Sequence, residues 1–203
     1  MKPPLILASQ SPRRRELLAS LGIPYEAVSP GVDEEGFDWE GVSAVDKVQR
    51  LSREKAMAVA ARRPEAVVIG SDTIVVLEGV IYEKPVDAAD ACRMLGLLQG
   101  RTHEVLSAVT VIPPATTGQP PVTDYLATQV TFRTMTPEEI RAYVATGEPM
   151  DKAGAYAIQG WGSLNIERID GCYFNVVGMS LILLSRLLTR VGYPLNADLP
   201  VAP

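Results

Sequence analysis

Two short, uninterrupted apolar runs constrain this chain most. Leu5-Ile6-Leu7-Ala8 and Ala66-Val67-Val68-Ile69 contain no polar position. A strand with one face in water alternates apolar and polar residues; a strand without that alternation needs cover on both faces, as inner strands of an α/β sheet have. Each run stops at small and polar residues, Ser9-Gln10-Ser11-Pro12 after the first and Gly70-Ser71-Asp72-Thr73 after the second. A helix is expected after the first run, with Ser11 as N-cap, Pro12 at the first helical position, Leu17, Leu18 and Leu21 on one face, and Gly22 as the stop. Another is expected over 42–61, where Val45, Val48, Leu51, Ala56 and Val59 recur at helical spacing.

The alternation continues to the C-terminal end. Strands are expected over 25–29, 74–77 and 80–82, the last two joined by a hairpin turn at Glu78-Gly79. Asp87 caps a helix running to Leu98. Strands over 106–112 and 125–132 flank a loop at 113–121 rich in Pro, Thr and Gly. Thr136-Pro137-Glu138-Glu139 is a capping-box pattern and opens a helix to Thr146. An ordered loop is expected over 150–162, a strand over 164–169 and a last helix over 178–191, followed by a frayed tail over 193–203. No repeat and no linker divides the chain. The expectation is α/β, a mixed sheet flanked by helices, in one domain over 1–192.

Composition narrows what such a fold does. With 47% hydrophobic residues in 203, there is material for one well-packed core. The formal net charge of −5 disfavours DNA or RNA as a partner, which calls for a basic surface, yet a few clustered cations still suffice for a small anion. Cys92 and Cys172 lie far apart and outside any metal-type spacing, so they read as reduced, buried residues. The apolar stretch at the start is too short for a signal-peptide core and no window is long enough to span a bilayer, so a cytoplasmic protein is expected. There is no Walker A pattern. The single histidine, His103, has no nucleophile elbow to serve. One His and two lone Cys give no zinc site, so any metal here is hard and oxygen-bound, Mg²⁺ or Mn²⁺.

Four groups of residues draw attention. Arg13-Arg14-Arg15 places cations at the positive end of a helix dipole. They are either solvated, at a small cost, or part of an anion site with Ser9, Ser11 and the free N–H groups of the first turn. Asp72, read as lying just past a buried strand, suits a metal ligand, a base or a plain turn aspartate. The run Asp33-Glu34-Glu35 is a solvated loop unless it folds back toward Asp72. Lys55, Lys84 and Lys152 each read, taken alone, as surface lysines.

Together these stretches resemble a known family. Ser9-Gln10-Ser11-Pro12-Arg13-Arg14 is similar to the opening motif of the Maf family of nucleotide pyrophosphatases, and Gly70-Ser71-Asp72-Thr73 to its central acidic motif. Glu83-Lys84-Pro85 resembles its Lys-Pro step. The run from Gly147 to Tyr156, containing Asp151-Lys152-Ala153-Gly154-Ala155-Tyr156, resembles its long signature together with Ile158-Gln159-Gly160. Asp170-Gly171 and Val177-Gly178 continue the match over about residues 5–190. Two departures, Ser71 where Ala is common and Ala157 where Gly is common, remove no reacting group.

The resemblance implies an elongated mixed α/β sheet in two lobes with an active-site cleft, a homodimer, a divalent cation and cleavage between the α- and β-phosphates. It implies roles for Ser9, Arg13, Arg14, Glu34, Lys55, Asp72, Lys84 and Gln159, with Asp72 as proton acceptor; by their own chemistry Asp72 and Glu34 suit a divalent ion, Asp72 then doing one of its two jobs directly and the other through water. Arg13, Thr73 and Gln159 match positions tied to base choice, and Lys152 falls in the signature as a substrate contact. Asp-Thr with Asp-Lys-Ala-Gly-Ala-Tyr is similar to the branch that takes dTTP and UTP rather than 7-methyl-GTP. A single amide such as Gln159 offers both donor and acceptor to the N–H and carbonyls of a uracil or thymine edge. The rival is a non-catalytic nucleotide-binding regulator of cell division, against which the carboxylates beside cations argue. Whether the cellular role is clearing non-standard nucleotides or arresting division stays open.

Overall fold

The computed structural model describes residues 2–34 and 36–195. The strands are β1 (Leu5–Ala8), β2 (Glu26–Val28), β3 (Val67–Leu77), β4 (Val80–Tyr82), β5 (Thr102–Ile112), β6 (Val122–Phe132) and β7 (Ile166–Asp170). The helices are α1 (Pro12–Ala19), α2 (Ala44–Ala60), α3 (Ala88–Leu98), α4 (Pro137–Ala145), α5 (Tyr173–Val177) and α6 (Leu181–Arg190). The strands form one seven-stranded mixed sheet in the order β2-β1-β3-β5-β6-β7, with β4 paired to β3 off this path. The expected α/β class with a mixed sheet and flanking helices is the class observed. Among the described residues no helix is long and apolar enough to cross a membrane.

The chain divides into two compact units. Among the described residues, one holds those of 2–72, 108–126 and 178–195; the other holds 73–107 and 127–177. In the first, β1 runs parallel to both β2 and β3, with Ile6 opposite Glu26 and Val68. All four residues of β1 are buried, as its unbroken apolar run requires. Ile6, Ala8, Ala66 and Val68 pack with Ala56 and Val59 of α2. The second unit gathers Val75, Leu77, Tyr82, Leu95, Leu98, Phe132 and Tyr156 into its core. β3 and β4 form an antiparallel hairpin, Val75 opposite Tyr82, around Glu78 and Gly79, both at positive φ.

Local signals translate directly. Asp87 and Thr136 cap α3 and α4, and Thr136 and Glu139 close a full capping box. Other expectations need correction. Gly70-Ser71-Asp72-Thr73 is no break: β3 runs through it as eleven residues, so Asp72 lies inside the strand rather than past its end. β5 and β6 begin earlier than expected, at Thr102 and Val122, and β7 begins two residues later, at Ile166. Leu21 lies beyond the end of α1 and is exposed, because the turn from Ser20 to Gly22 carries it off the buried face of Leu17 and Leu18. The loop at 150–162 is a series of 3₁₀ turns, and α5 is a helix that no sequence signal predicts. The cysteines form no disulfide and are half-buried, not fully buried. The frayed tail expected over 193–203 falls, from residue 196 on, outside the described residues.

Candidate active site

Polar residues in the first unit are buried where the α2–β3 packing is tightest. The inward face of α2 carries Val48, Leu51, Ala56 and Val59, but also Ser52 and Lys55. The glycine at 70 makes this packing possible. A Cβ there would collide with the Ser52 carbonyl oxygen and come within 2.8 Å of the Ala56 Cβ. The Ser52 hydroxyl reaches the Gly70 carbonyl at 3.2 Å and the Thr110 hydroxyl at 2.9 Å, so the approach is also satisfied in hydrogen bonds. Two residues along β3 and one turn along α2, this brings Lys55 to Asp72.

The Lys55 ammonium donates to Asp72 Oδ1 at 2.6 Å and lies 2.8 Å from Glu34 Oε1. Lys55 and Asp72 are 8% and 6% exposed, so this ion pair is cut off from water; Glu34 remains half in solvent on its loop. Charges at that depth persist only when paired and hydrogen-bonded. The acidic loop therefore does fold back toward Asp72, the condition under which it gains interest.

Ser9 and α1 supply further candidates of this unit. The buried Ser9 accepts the Ser11 N–H on its Oγ at 3.1 Å, shaping the turn before Pro12. The Ser11 side chain makes no cap bond and the first turn of α1 has no acidic residue. The Arg14 Nε donates to the Gly178 carbonyl at 2.9 Å. Burial pulls the Arg14 pKa below its usual value; Asp72 pulls it back up, Arg13 depresses it further, and Glu34 raises it. Arg14 is thus a cation in a poorly solvated place, within the field of the two carboxylates that share Lys55.

The second unit holds the remaining candidates, in differing surroundings. The Thr73 hydroxyl is 2.7 Å from that of Ser107, which donates in turn to the Asn175 carbonyl at 2.9 Å. Lys84 is exposed, and the half-buried Lys152 ammonium is held by the Glu148 carbonyl and Asp151 Oδ1, both at 2.6 Å. Gln159 is exposed and precedes a 3₁₀ turn, Gly160–Asn165, that its side chain does not cap. His103 is no part of this chemistry: it is a buried core residue whose Nε2 pairs with the Tyr156 hydroxyl at 2.8 Å.

The structure thus joins Glu34, Lys55 and Asp72 through one ammonium in the first unit, with Ser9 and Arg14 on α1 and its approach. No sequence pattern assigns a role to Ser52 or Gly70, which set the α2–β3 distance. A serine on the apolar face of a helix and a glycine after a buried apolar run were the available signals. The donor set suits a hard cation: Asp72 and Glu34 bring two carboxylates to one point, already shown to hold positive charge. No cluster of three or more metal-type side chains exists among the described residues.

The buried Lys55–Asp72 pair, with Glu34 half in solvent and Arg14 nearby in the same unit, is a concentration of charge in an α/β fold. The comparisons point one way. The model of the family described as Maf-like protein matches residues 4–191, and the chain belongs to that family. It is similar to a dTTP/UTP pyrophosphatase of Dictyoglomus turgidum, 48% identical over 195 residues, covering 96% of this chain and 100% of that protein. A dTTP/UTP pyrophosphatase of Moorella thermoacetica is 50% identical over 188 residues, 93% of this chain and 95% of that one. Another, of Salmonella typhimurium, is 48% identical over 187 residues, 92% of each.

Proposed function

We propose that this chain is a nucleoside triphosphate pyrophosphatase that hydrolyses dTTP and UTP to the monophosphate and pyrophosphate. The observation that carries the reading is the buried Lys55 ammonium gripped by Asp72 and Glu34 in the unit that also holds Arg14. Relatives named for this activity, at 46–50% identity, support the substrate class.

In this reading Asp72, Glu34, Lys55, Arg13 and Arg14 do the phosphate chemistry. Water attacks the α-phosphorus; the bond from that phosphorus to the α,β-bridging oxygen breaks, and pyrophosphate leaves with the electron pair. Asp72 takes the proton from the water. Arg13 and Arg14, with the N–H groups of the α1 N-terminus and Ser9, bind phosphate oxygens. Lys55 orients the two carboxylates and, with Lys84, neutralises charge building on the leaving group. Asp72 and Glu34 would hold Mg²⁺ or Mn²⁺, which when bound supplies further neutralisation of phosphate oxygens and activation of water. Thr73 and Gln159 select the base, with Lys152 as a further substrate contact. Cytosine presents a donor where uracil presents a carbonyl, so an amide set for uracil is left with an unpaired group, a strong basis for rejection.

Pyrophosphate release from dTTP, UTP, CTP, dATP and 7-methyl-GTP, with Mg²⁺ and with chelator, tests the reading. dTTP and UTP are expected to be fastest, and activity is expected to vanish in chelator and return with Mg²⁺ or Mn²⁺. Faster turnover of 7-methyl-GTP or dATP overturns the substrate assignment, and full activity in excess chelator removes the metal. Tight binding without turnover would instead leave a nucleotide-binding regulator of division. The resemblance also carries a homodimer, and the two lone cysteines with no long apolar stretch favour the cytoplasm. Light scattering at micromolar concentration is expected to give twice the chain mass; a monomer there refutes the dimer.

A further inference from the structure

Glu148 is half-buried and holds together a stretch of chain well removed from it in sequence. Its Oε1 accepts the Tyr143 hydroxyl at 2.8 Å and the Gly162 N–H at 2.9 Å, and its Oε2 accepts the Trp161 N–H at 3.0 Å. Two of these donors are backbone groups of the 3₁₀ turn Gly160–Asn165, which begins directly after Gln159. The fit is close on every side. Gly160 has a φ of +63°, and a Cβ there would run into Glu148 Oε2; a Cβ on Gly162 would run into the Ala157 carbonyl and the Tyr143 hydroxyl. The glycines on both sides of Trp161 are thus required by the carboxylate and by the tyrosine that it holds.

The far end of Glu148 is fixed as well. Lys152 donates to its carbonyl at 2.6 Å, and the Ala157 N–H reaches the Tyr143 hydroxyl at 3.3 Å. Burial raises the Glu148 pKa, but the Gly162, Tyr143 and Trp161 hydrogen bonds and the Lys152 charge outweigh it, and the net shift is downward. The residue therefore stays ionised, an acceptor only, which is the state that suits three converging donors. Gln159 itself sits exposed at the edge of this frame, its backbone extended at φ −96° and ψ 169°, one residue before the stapled turn.

We propose that Glu148 is a positioning residue for base selection: it staples the turn after Gln159 to α4 and its C-terminal extension, and so aims the Gln159 amide. This rests on Gln159 reading the base, as in the function proposed above. Glu148 touches no substrate; it acts through the backbone that follows Gln159. Ordered hydrogen-bond selection needs the amide held in place, since a swivelling amide accepts either edge of a pyrimidine.

The test is Glu148→Gln, with Tyr143→Phe as a milder second variant, assayed on dTTP and dCTP. Gln keeps the shape but turns an NH₂ toward a backbone N–H, so one staple bond is lost. The ratio of kcat/KM for dTTP over dCTP is expected to fall about 3–10-fold, the worth of one oriented hydrogen bond, with kcat on dTTP retained. Tyr143→Phe should lower the ratio in the same direction by less. In a Gln159→Ala background, Glu148→Gln should cost no further selectivity, because the two residues act as one unit. A scaffold role alone would instead lower melting temperature and both substrates together, and its effect would add to that of Gln159→Ala. An unchanged ratio in both folded variants, or additivity in the double variant, overturns the proposal. A wild-type protein that releases no pyrophosphate from dTTP overturns the functional reading instead, and the proposal with it.

Discussion

Replacing Asp72 by Asn is expected to lower kcat on dTTP about 10²–10⁴-fold, the span of a lost acid–base group. Asn keeps the size of the side chain and still presents an oxygen to the Lys55 ammonium, now 2.6 Å from Oδ1, but it takes no proton. Substrate binding should change far less, because Arg13, Arg14, Lys55 and Lys84 remain. Stability is a different matter from what a turn aspartate would suggest. Asp72 is an inner residue of β3 and shares its burial with Lys55, so Asn leaves a buried ammonium whose one remaining carboxylate, Glu34, is half in water. Removing one partner of a wholly buried pair costs about 3–5 kcal/mol; with Glu34 and the Asn oxygen still present, a loss of about 1–3 kcal/mol is expected, the scale of a hydrogen bond to a charged group. Steady-state kinetics paired with thermal melting separate the two effects. A folded variant with near-normal kcat would mean that another group, Glu34 first among them, takes the proton.

The same residue shows where the sequence was legible and where it was not. β1 and the start of β3 were readable because an unbroken apolar run has few other uses, and the caps at Asp87 and Thr136 because each is completed within three residues. The rest of β3 was hidden. Gly70, Ser71, Asp72 and Thr73 are turn formers by propensity, and only long-range partners turn them into strand. α2 comes close over Gly70, the Ser71 hydroxyl reaches the Gly178 carbonyl at 3.3 Å, Asp72 meets Lys55, and Thr73 meets Ser107. Context of this kind routinely overrides local preference. α5, at five residues, is too short to carry a periodic signal.

The candidate site divides in the same way. Its residues could be named from motifs, but the sharing of one ammonium by Glu34 and Asp72 joins parts of the chain that no local pattern relates. Glu148 was in view only as part of a motif. Its role emerges from donors thirteen and fourteen residues away, Trp161 and Gly162. The glycines beside Trp161 were the trace it left in the sequence, and a glycine pattern does not say which side chain requires it.

Stability is expected to fall by about 3 kcal/mol as pH drops from 6.5 to 4, on account of the single histidine alone. His103 is 2% exposed, with the rings of Phe132 and Tyr156 edge-on at 5.0 and 5.3 Å and the Tyr156 hydroxyl on Nε2. Burial among these rings lowers its pKa from 6.5 to about 4. In the unfolded chain the imidazole takes a proton as pH falls through 6.5; in the folded chain it does so only near 4. Between those values the unfolded state binds more protons, so stability rises with pH across the window. The contribution is complete above about 6.5 and gone below about 4, with a slope of about 1.4 kcal/mol per pH unit between. The carboxylates whose pKa values are lowered, Glu65, Asp90, Glu138, Glu139 and Glu148, act in the same direction but begin lower, as pH falls through the ordinary carboxylate range. A His103→Gln variant separates the two, because its amide can still pair with the Tyr156 hydroxyl but does not titrate. Denaturant unfolding of both proteins at pH 7, 6, 5 and 4.5 should show the wild type losing stability from pH 6.5 downward while the variant stays level to about pH 5. Parallel curves would mean that His103 gains its proton in the fold as readily as in the open chain, and that the core around Tyr156 admits charge.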